Sequence, residues 1–294
     1  MSVWGKGGVG KSTVAAALGL LYAGRGLRTL VVSTDPTPAV ARLLCGGEVG
    51  RRGACGGVDV IELSDDDVVD MWRARFGDEV YSVASSFLPV DRSIVEYVAR
   101  APGIADEFTL YYVYELVGGG AYDVVIWDTT GAGGSLALLR LERELYEHMG
   151  EAARLYLRVR STLERLRRGQ RDPLELIDSW RELAKEMLEL LASDSHRLLL
   201  VSEATRLSFQ VTRGVLDELR SYGMSARAIV VNKVVRRGAC PGCHLVEEMA
   251  RECEEALGLF EGIEGVRKVV VPYIERAEER VKGVAAALAA SGLP

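Results

Sequence analysis

Residues 5–13 read GKGGVGKST and satisfy G-x-x-x-x-G-K-[ST] at every position. Residue types in this order can hold a polyphosphate. Gly5, Gly7, Gly8 and Gly10, with Val9 among them, let successive backbone N–H groups turn toward one anion, and the helix that follows adds its positive end. Lys11 is expected to reach the β- and γ-phosphates of ATP, Ser12 to hold Mg2+, and Thr13 to bond the α-phosphate. Two aspartates complete the set. Asp35, in STDPTP, follows an apolar strand run, and Asp128, in VVIWDTTGAGG, ends another. Carboxylates at the C-terminal ends of parallel strands lie where open α/β sheets bind ligands. Asp35 is placed to orient an attacking water and Asp128 to hold Mg2+ or its waters. Lys6 is a second lysine in the loop: either a solvated surface residue or a further cation that neutralises charge developing on the γ-phosphate. A third feature is CPGCH, in which Cys240 and Cys243 are two thiols in one tight turn.

The elements that must carry these residues alternate between short β-branched runs and longer helical stretches, the pattern of an α/β protein with a mostly parallel sheet flanked by helices. Strands are expected at 1–4, 29–33, 58–62, 123–127, 197–201, 227–231 and 268–272, with a first helix leaving the phosphate loop and ending near Gly24–Gly26. Two segments are too long for simple crossovers. Residues 64–118 begin with the acidic run SDDDVVD and continue as helix, and residues 136–192 read as helices throughout. Leu138, Leu141, Leu145 and Met149 share one face; Leu155, Val159, Leu163 and Leu166 another; Ile177, Trp180, Ala184, Met187 and Leu191 a third. Within one ATPase domain over 1–294, both segments are expected to form a helical subdomain. Its apolar faces either pack on one another or stay open as a binding groove.

Composition excludes several classes. Net charge is −6 without a basic stripe, which argues against nucleic acid as a partner. The apolar runs are strand-length, far short of a membrane span. A phosphate loop starting at residue 5 leaves no room for a signal peptide, so a cytoplasmic location is expected. Five unevenly placed cysteines do not describe a secreted disulfide scaffold.

Beyond the loop, STDP at 33–36, PGIADEFTLYYV at 102–113, DTTGAGGSL at 128–136, VSEATRLSFQVTRGVLDELRSYGM at 201–224, VVNKV at 230–234 and CPGC at 240–243 occur in one order. Together they resemble the ArsA/Get ATPases, which include the arsenite-pump ATPase and the targeting factor for tail-anchored membrane proteins. They belong to the SIMIBI class, with its deviant Walker A loop. The resemblance spans essentially the whole chain. It implies a homodimer in which Lys6 reaches the partner's nucleotide, and a catalytic role for Asp35. It further implies that Asn232 contacts adenine with Pro272 nearby, and that Glu203 approaches the nucleotide from the dimer interface. The chain departs from the family at Pro38 and Gly134, where histidines are common.

Cys240 and Cys243 leave several chemistries open. They make half of a four-thiolate zinc site shared across a two-fold axis, half of a bridging iron–sulfur cluster as in Mrp-type carriers, a haem attachment, a redox pair or a structural turn. The targeting-factor resemblance favours zinc. No cysteine lies between Cys55 and Cys240, so the thiolates that an arsenite site needs are missing from the helical segments. Cys45, Cys55 and Cys253 show no spacing signal.

The main functional expectation is an ATP-driven targeting chaperone that captures hydrophobic transmembrane segments of clients in a helical groove and delivers them to a membrane receptor. An iron–sulfur scaffold or carrier is the alternative. An arsenite-pump subunit and a partition ATPase are lesser ones. One feature weighs against a broad client range: the insertions hold only Met71, Met149 and Met187 as adaptable thioethers, and RLYLRVRSTLERLRRGQR is heavily charged.

Overall fold

The computed structural model describes residues 1–34, 39–47, 50–87, 89–101, 103–131, 136–137, 139–140, 143, 147 and 173–293. Asp35, Pro38 and Gly134 lie outside the described residues, as do the stripes read over Leu138–Met149 and Leu155–Leu166. The chain divides into two compact units. One comprises Met1–Leu63, Leu116–Leu136 and Ala192–Pro294; the other comprises Ser64–Glu115 and Ala137–Leu191.

The first unit carries an eight-stranded sheet. Its strands are β1 (Ser2–Gly5), β2 (Thr29–Ser33), β3 (Arg52–Cys55), β4 (Val58–Glu62), β5 (Val124–Asp128), β6 (Leu198–Glu203), β7 (Ala226–Val234) and β8 (Arg267–Pro272), in the order β3-β4-β2-β5-β1-β6-β7-β8. Every pairing is parallel except β3 with β4. Parallel strands are covered on both faces, which is why TLVVS and LLLVSE are nearly continuous apolar runs rather than alternating ones. Helix α1 (Lys11–Ala23) lies on one face. Val14–Gly19 are buried, and Gly19 comes so close that an added Cβ would sit 3.0 Å from Val31 and 3.1 Å from Val58. Val14, Ala17 and Leu18 share a core with Val31, Val60, Ile126, Leu199, Val230 and Val269. The same core takes Val281, Val284 and Leu288 from the C-terminal helix Arg280–Ala290.

Edge strand β3 escapes the sequence reading. RGAC has no apolar run and alternates exposed with half-buried residues, so burial leaves no mark on it. The signal was the Gly56–Gly57 turn, which joins it to β4 as a two-residue hairpin. Cys55 at its end forms a disulfide with Cys45, the last residue of α2 (Val40–Cys45), with Cα atoms 5.5 Å apart.

The second unit is helical in its described residues: α3 (Asp65–Phe87), α4 (Ser93–Ala99), most of α5 (Ile104–Gly118) and most of α6 (Pro173–Ala192). The acidic run at its start is a helix beginning. The Ser64 hydroxyl accepts from Asp67 N at 3.2 Å and the Asp67 carboxylate accepts from Ser64 N at 3.1 Å, while Asp65 and Asp66 sit in the electropositive first turn. On α6, Ile177, Ala184, Met187 and Leu191 are buried at helical spacing. Among the described residues, no helix is long and apolar enough to cross a membrane.

Candidate functional site

The sheet brings most of the singled-out residues to one edge. Gly5, Ser33, Asp128, Glu203 and Pro272 end five parallel strands, and Asn232 lies beside Glu203 in the β6–β7 register. The loop from Gly5 to Gly10 links β1 to α1, which starts without a side-chain cap and without an acidic residue in its first turn. Uncapped N–H groups at a helix start suit an anion. Lys11 is only 6% exposed, and its ammonium has a 3.5 Å contact with the Lys6 carbonyl. A nearly buried cation with so long a contact fits the phosphate group the sequence implies. Gly7 and Gly8 leave open space where side chains would project. Ser12 and Thr13 are half-buried at the start of α1, whereas Lys6 is exposed at the rim.

Asp128 is fully buried, and its Oδ2 accepts from Ser33 Oγ at 3.2 Å. The chain leaving β2 is tied to the same strand end, since Thr34 N donates to Asp128 O and Trp127 Nε1 donates to Thr34 Oγ1 at 3.0 Å. Gly131 approaches the loop, where an added Cβ would lie 3.6 Å from Gly7 N. The start of the segment after β2 is therefore anchored to the end of β5.

The far side of the loop is braced by β7. Asn232 Nδ2 donates to Val9 O at 2.9 Å, and Lys233 Nζ donates to Gly8 O at 2.6 Å and to Glu203 Oε1 at 2.7 Å. Lys233 is the one non-glycine residue with positive φ, at 58°, among the described residues. A lysine in that conformation stores strain that these contacts must offset. Lys233 sits in VVNKV, where no spacing marks it. The resemblance implies that Asn232 contacts adenine and that Glu203 approaches the nucleotide from the dimer interface. In the single chain, Asn232 spends an amide hydrogen on the loop and Glu203 pairs with Lys233. Pro272 is half-buried next to Tyr273, whose N donates to Val234 O at 2.9 Å.

Cys240 and Cys243 lie outside this cluster. Cys240 is exposed, Cys243 is half-buried, and Cys243 N donates to Cys240 O at 3.2 Å across the turn. Cys243 caps the helix His244–Glu261, and the facing Cys243 sulfur pushes the Cys240 thiol up. Two thiols held this way supply half of a tetrahedral set. Among the described residues, no group of three or more His, Cys, Asp or Glu side chains converges on one point. Cys253 is buried within the same helix, and desolvation raises its thiol.

Similarity to known proteins spans most of the chain. The family model described as "Anion-transporting ATPase" matches residues 1–288. The chain is 25% identical over 240 residues to a "Putative arsenical pump-driving ATPase 2" of Aquifex aeolicus, covering 79% of this chain and 78% of that protein. It is 24% identical over 298 residues to "ATPase get3" of Aspergillus terreus, covering 95% and 87%. It is 29% identical over 245 residues to the "Arsenical pump-driving ATPase" of Escherichia coli, covering 79% of this chain and 38% of that protein.

Proposed function

Because the chain belongs to the ArsA-type anion-transporting ATPase family and is an ATPase of the ArsA/Get class, we propose that it is a homodimeric, cytoplasmic targeting chaperone. ATP hydrolysis drives it to capture and release hydrophobic transmembrane segments. The observation that carries this reading is a compact helical unit, built from two separate stretches of chain, interrupting an ATPase unit. The extent of the match to the get3 protein, nearly the full length of both chains, supports it.

In this reading the N–H groups of residues 7–13 and the Lys11 ammonium bind the phosphates. Lys6, exposed at the rim, serves the nucleotide of the second copy. Asp35 orients the attacking water. Ser12 and Asp128 would hold Mg2+, which neutralises phosphate charge when bound. Asn232, Lys233 and Glu203 keep the loop in shape, with Asn232 and Pro272 beside the base. Cys240 and Cys243 would hold zinc jointly with the same pair of a second copy, and zinc there supplies a structural link. To work as a switch, ATP must favour the closed dimer strongly: moving it from 1:99 to 99:1 takes about 5.5 kcal/mol of differential binding.

A second reading has its own support, because two of the similar proteins are named for an arsenical pump. Against it, the helical segments lack cysteine, the ligand that trivalent arsenic prefers.

One experiment separates the readings. Purified full-length chain is mixed with a peptide of about 20 apolar residues, with and without Mg-ATP, and its mass, metal content and ATP turnover are read. Peptide bound by a dimer only with ATP, at half a zinc per chain, is the expected result. Turnover stimulated by arsenite without peptide capture favours the pump. Iron and sulfide in place of zinc move the protein to cluster transfer.

The brace makes a separate prediction. Lys233→Met removes the donor to Gly8 O and strands Glu203, so ATP affinity should fall about fivefold with turnover at saturation little changed. A nucleotide titration that matches the unmodified protein would remove Lys233 from the site.

A further inference from the structure

The helical unit carries a half-open cavity of about 310 Å3 whose lining includes Trp72, Phe76, Phe108, Tyr111, Trp180 and Glu107. A cavity of this volume lies at the lower end of the range for small-molecule sites, about 300–1,000 Å3. Apart from Glu107, the lining is aromatic and aliphatic. The rings are fixed against one another: Phe76 lies 5.1 Å from Tyr111 and 6.2 Å from Phe108, both edge to face. Trp180 is held by donating Nε1 to Glu79 Oε2 at 2.8 Å. Two of the rings already carry a cation, since the Arg75 guanidinium sits 4.6 Å over Phe76 and 5.6 Å from the Tyr111 centroid. Glu107 is the one ionisable carboxyl of the lining, and burial, with the Asp106 charge adding to it, pushes it up to about 7. This half-buried carboxyl has no positive partner among the described residues, and a ligand can bring one.

We propose that this cavity binds a compact organic cation, an ammonium centre carrying an apolar group, with Glu107 as its counter-ion and the aromatic rings as its walls. Ring quadrupoles attract such cations within about 6 Å of the centroid. The desolvated carboxylate gains the charge partner that its surroundings deny it.

The test uses full-length protein without nucleotide and two probes of one shape, phenyltrimethylammonium and its neutral isostere tert-butylbenzene, followed by calorimetry and tryptophan fluorescence. The expected result is binding of the cation at least tenfold tighter than the isostere, with Glu107→Gln abolishing that preference while its thermal melt stays cooperative. Equal binding of the two probes, no binding of either, or a preference that survives in Glu107→Gln would overturn the proposal. The comparison of probes on the unmodified protein needs no variant. Neither arm contains ATP or a transmembrane peptide, so failure here is distinct from failure of the chaperone reading.

Discussion

Gly10→Ala should lower ATP turnover by at least about 100-fold, the scale expected when a loop that positions reacting groups moves by an ångström. Gly10 has φ 99°, a conformation that costs a residue with a Cβ about 1–2 kcal/mol. The added Cβ would also stand 2.4 Å from Asn232 Nδ2, the atom that holds Val9 O. One methyl group therefore strains the loop from within and pushes away its brace. Adding Asn232→Ala relieves the collision but leaves both the backbone strain and an unbraced Val9 carbonyl, so the double variant should not recover. Gly26→Ala is the control. It also has positive φ, at 81°, but meets nothing within 4 Å, so it should cost stability and leave turnover intact. Phosphate release and nucleotide binding measured on the three variants test this. Turnover by Gly10→Ala within a few-fold of the unmodified chain would mean that the loop geometry is not what the site depends on.

Glu107→Gln should stabilise the protein at pH 8 and leave it unchanged near pH 4. Folded, Glu107 keeps its proton to about pH 7, and its ordinary value is 4.5. Between those values the folded state holds more protons than the unfolded one, so stability falls as pH rises through the window. Above about pH 7 the full cost of ionising a desolvated carboxyl is present. The difference corresponds to about 3 kcal/mol as an upper bound, and partial exposure reduces it to about 2 kcal/mol. Glutamine resembles the protonated acid in shape and cannot ionise, so it removes the cost. Denaturant unfolding of both proteins at the two pH values checks this. A gap that is equal at both, or a variant less stable at pH 8, would place Glu107 in a solvated setting. The same substitution serves the ligand experiment with an independent readout, since stability is measured without a probe.

Some of this was legible because its cause is local. The phosphate loop is a run of nine residues whose glycines and lysine make sense only together, and β2 is a nearly continuous apolar stretch because neighbours cover both faces. Asp128 could be placed at a strand end because the apolar run stops there. By itself, the sequence determined a mostly parallel α/β sheet and a glycine-rich loop at the C-terminal ends of its strands. It also determined, through ordered motifs, the ATPase family. Tertiary structure decided what holds the loop. Asn232 and Lys233 meet Val9 and Gly8 from 223 and 225 residues away, and no periodicity records a contact of that range. It decided the Cys45–Cys55 pairing too, since only the β3–β4 hairpin brings Cys55 to the end of α2. Glu107 shows the reason most directly. As a letter in ADEFTLYYV it is an ordinary helix-start glutamate, and its chemistry changes only when α3 and α6 pack around it and bury part of its surface. Local pattern fixes the kind of element and the direction a side chain takes; burial, charge partners and long-range hydrogen bonds exist only once the elements have packed.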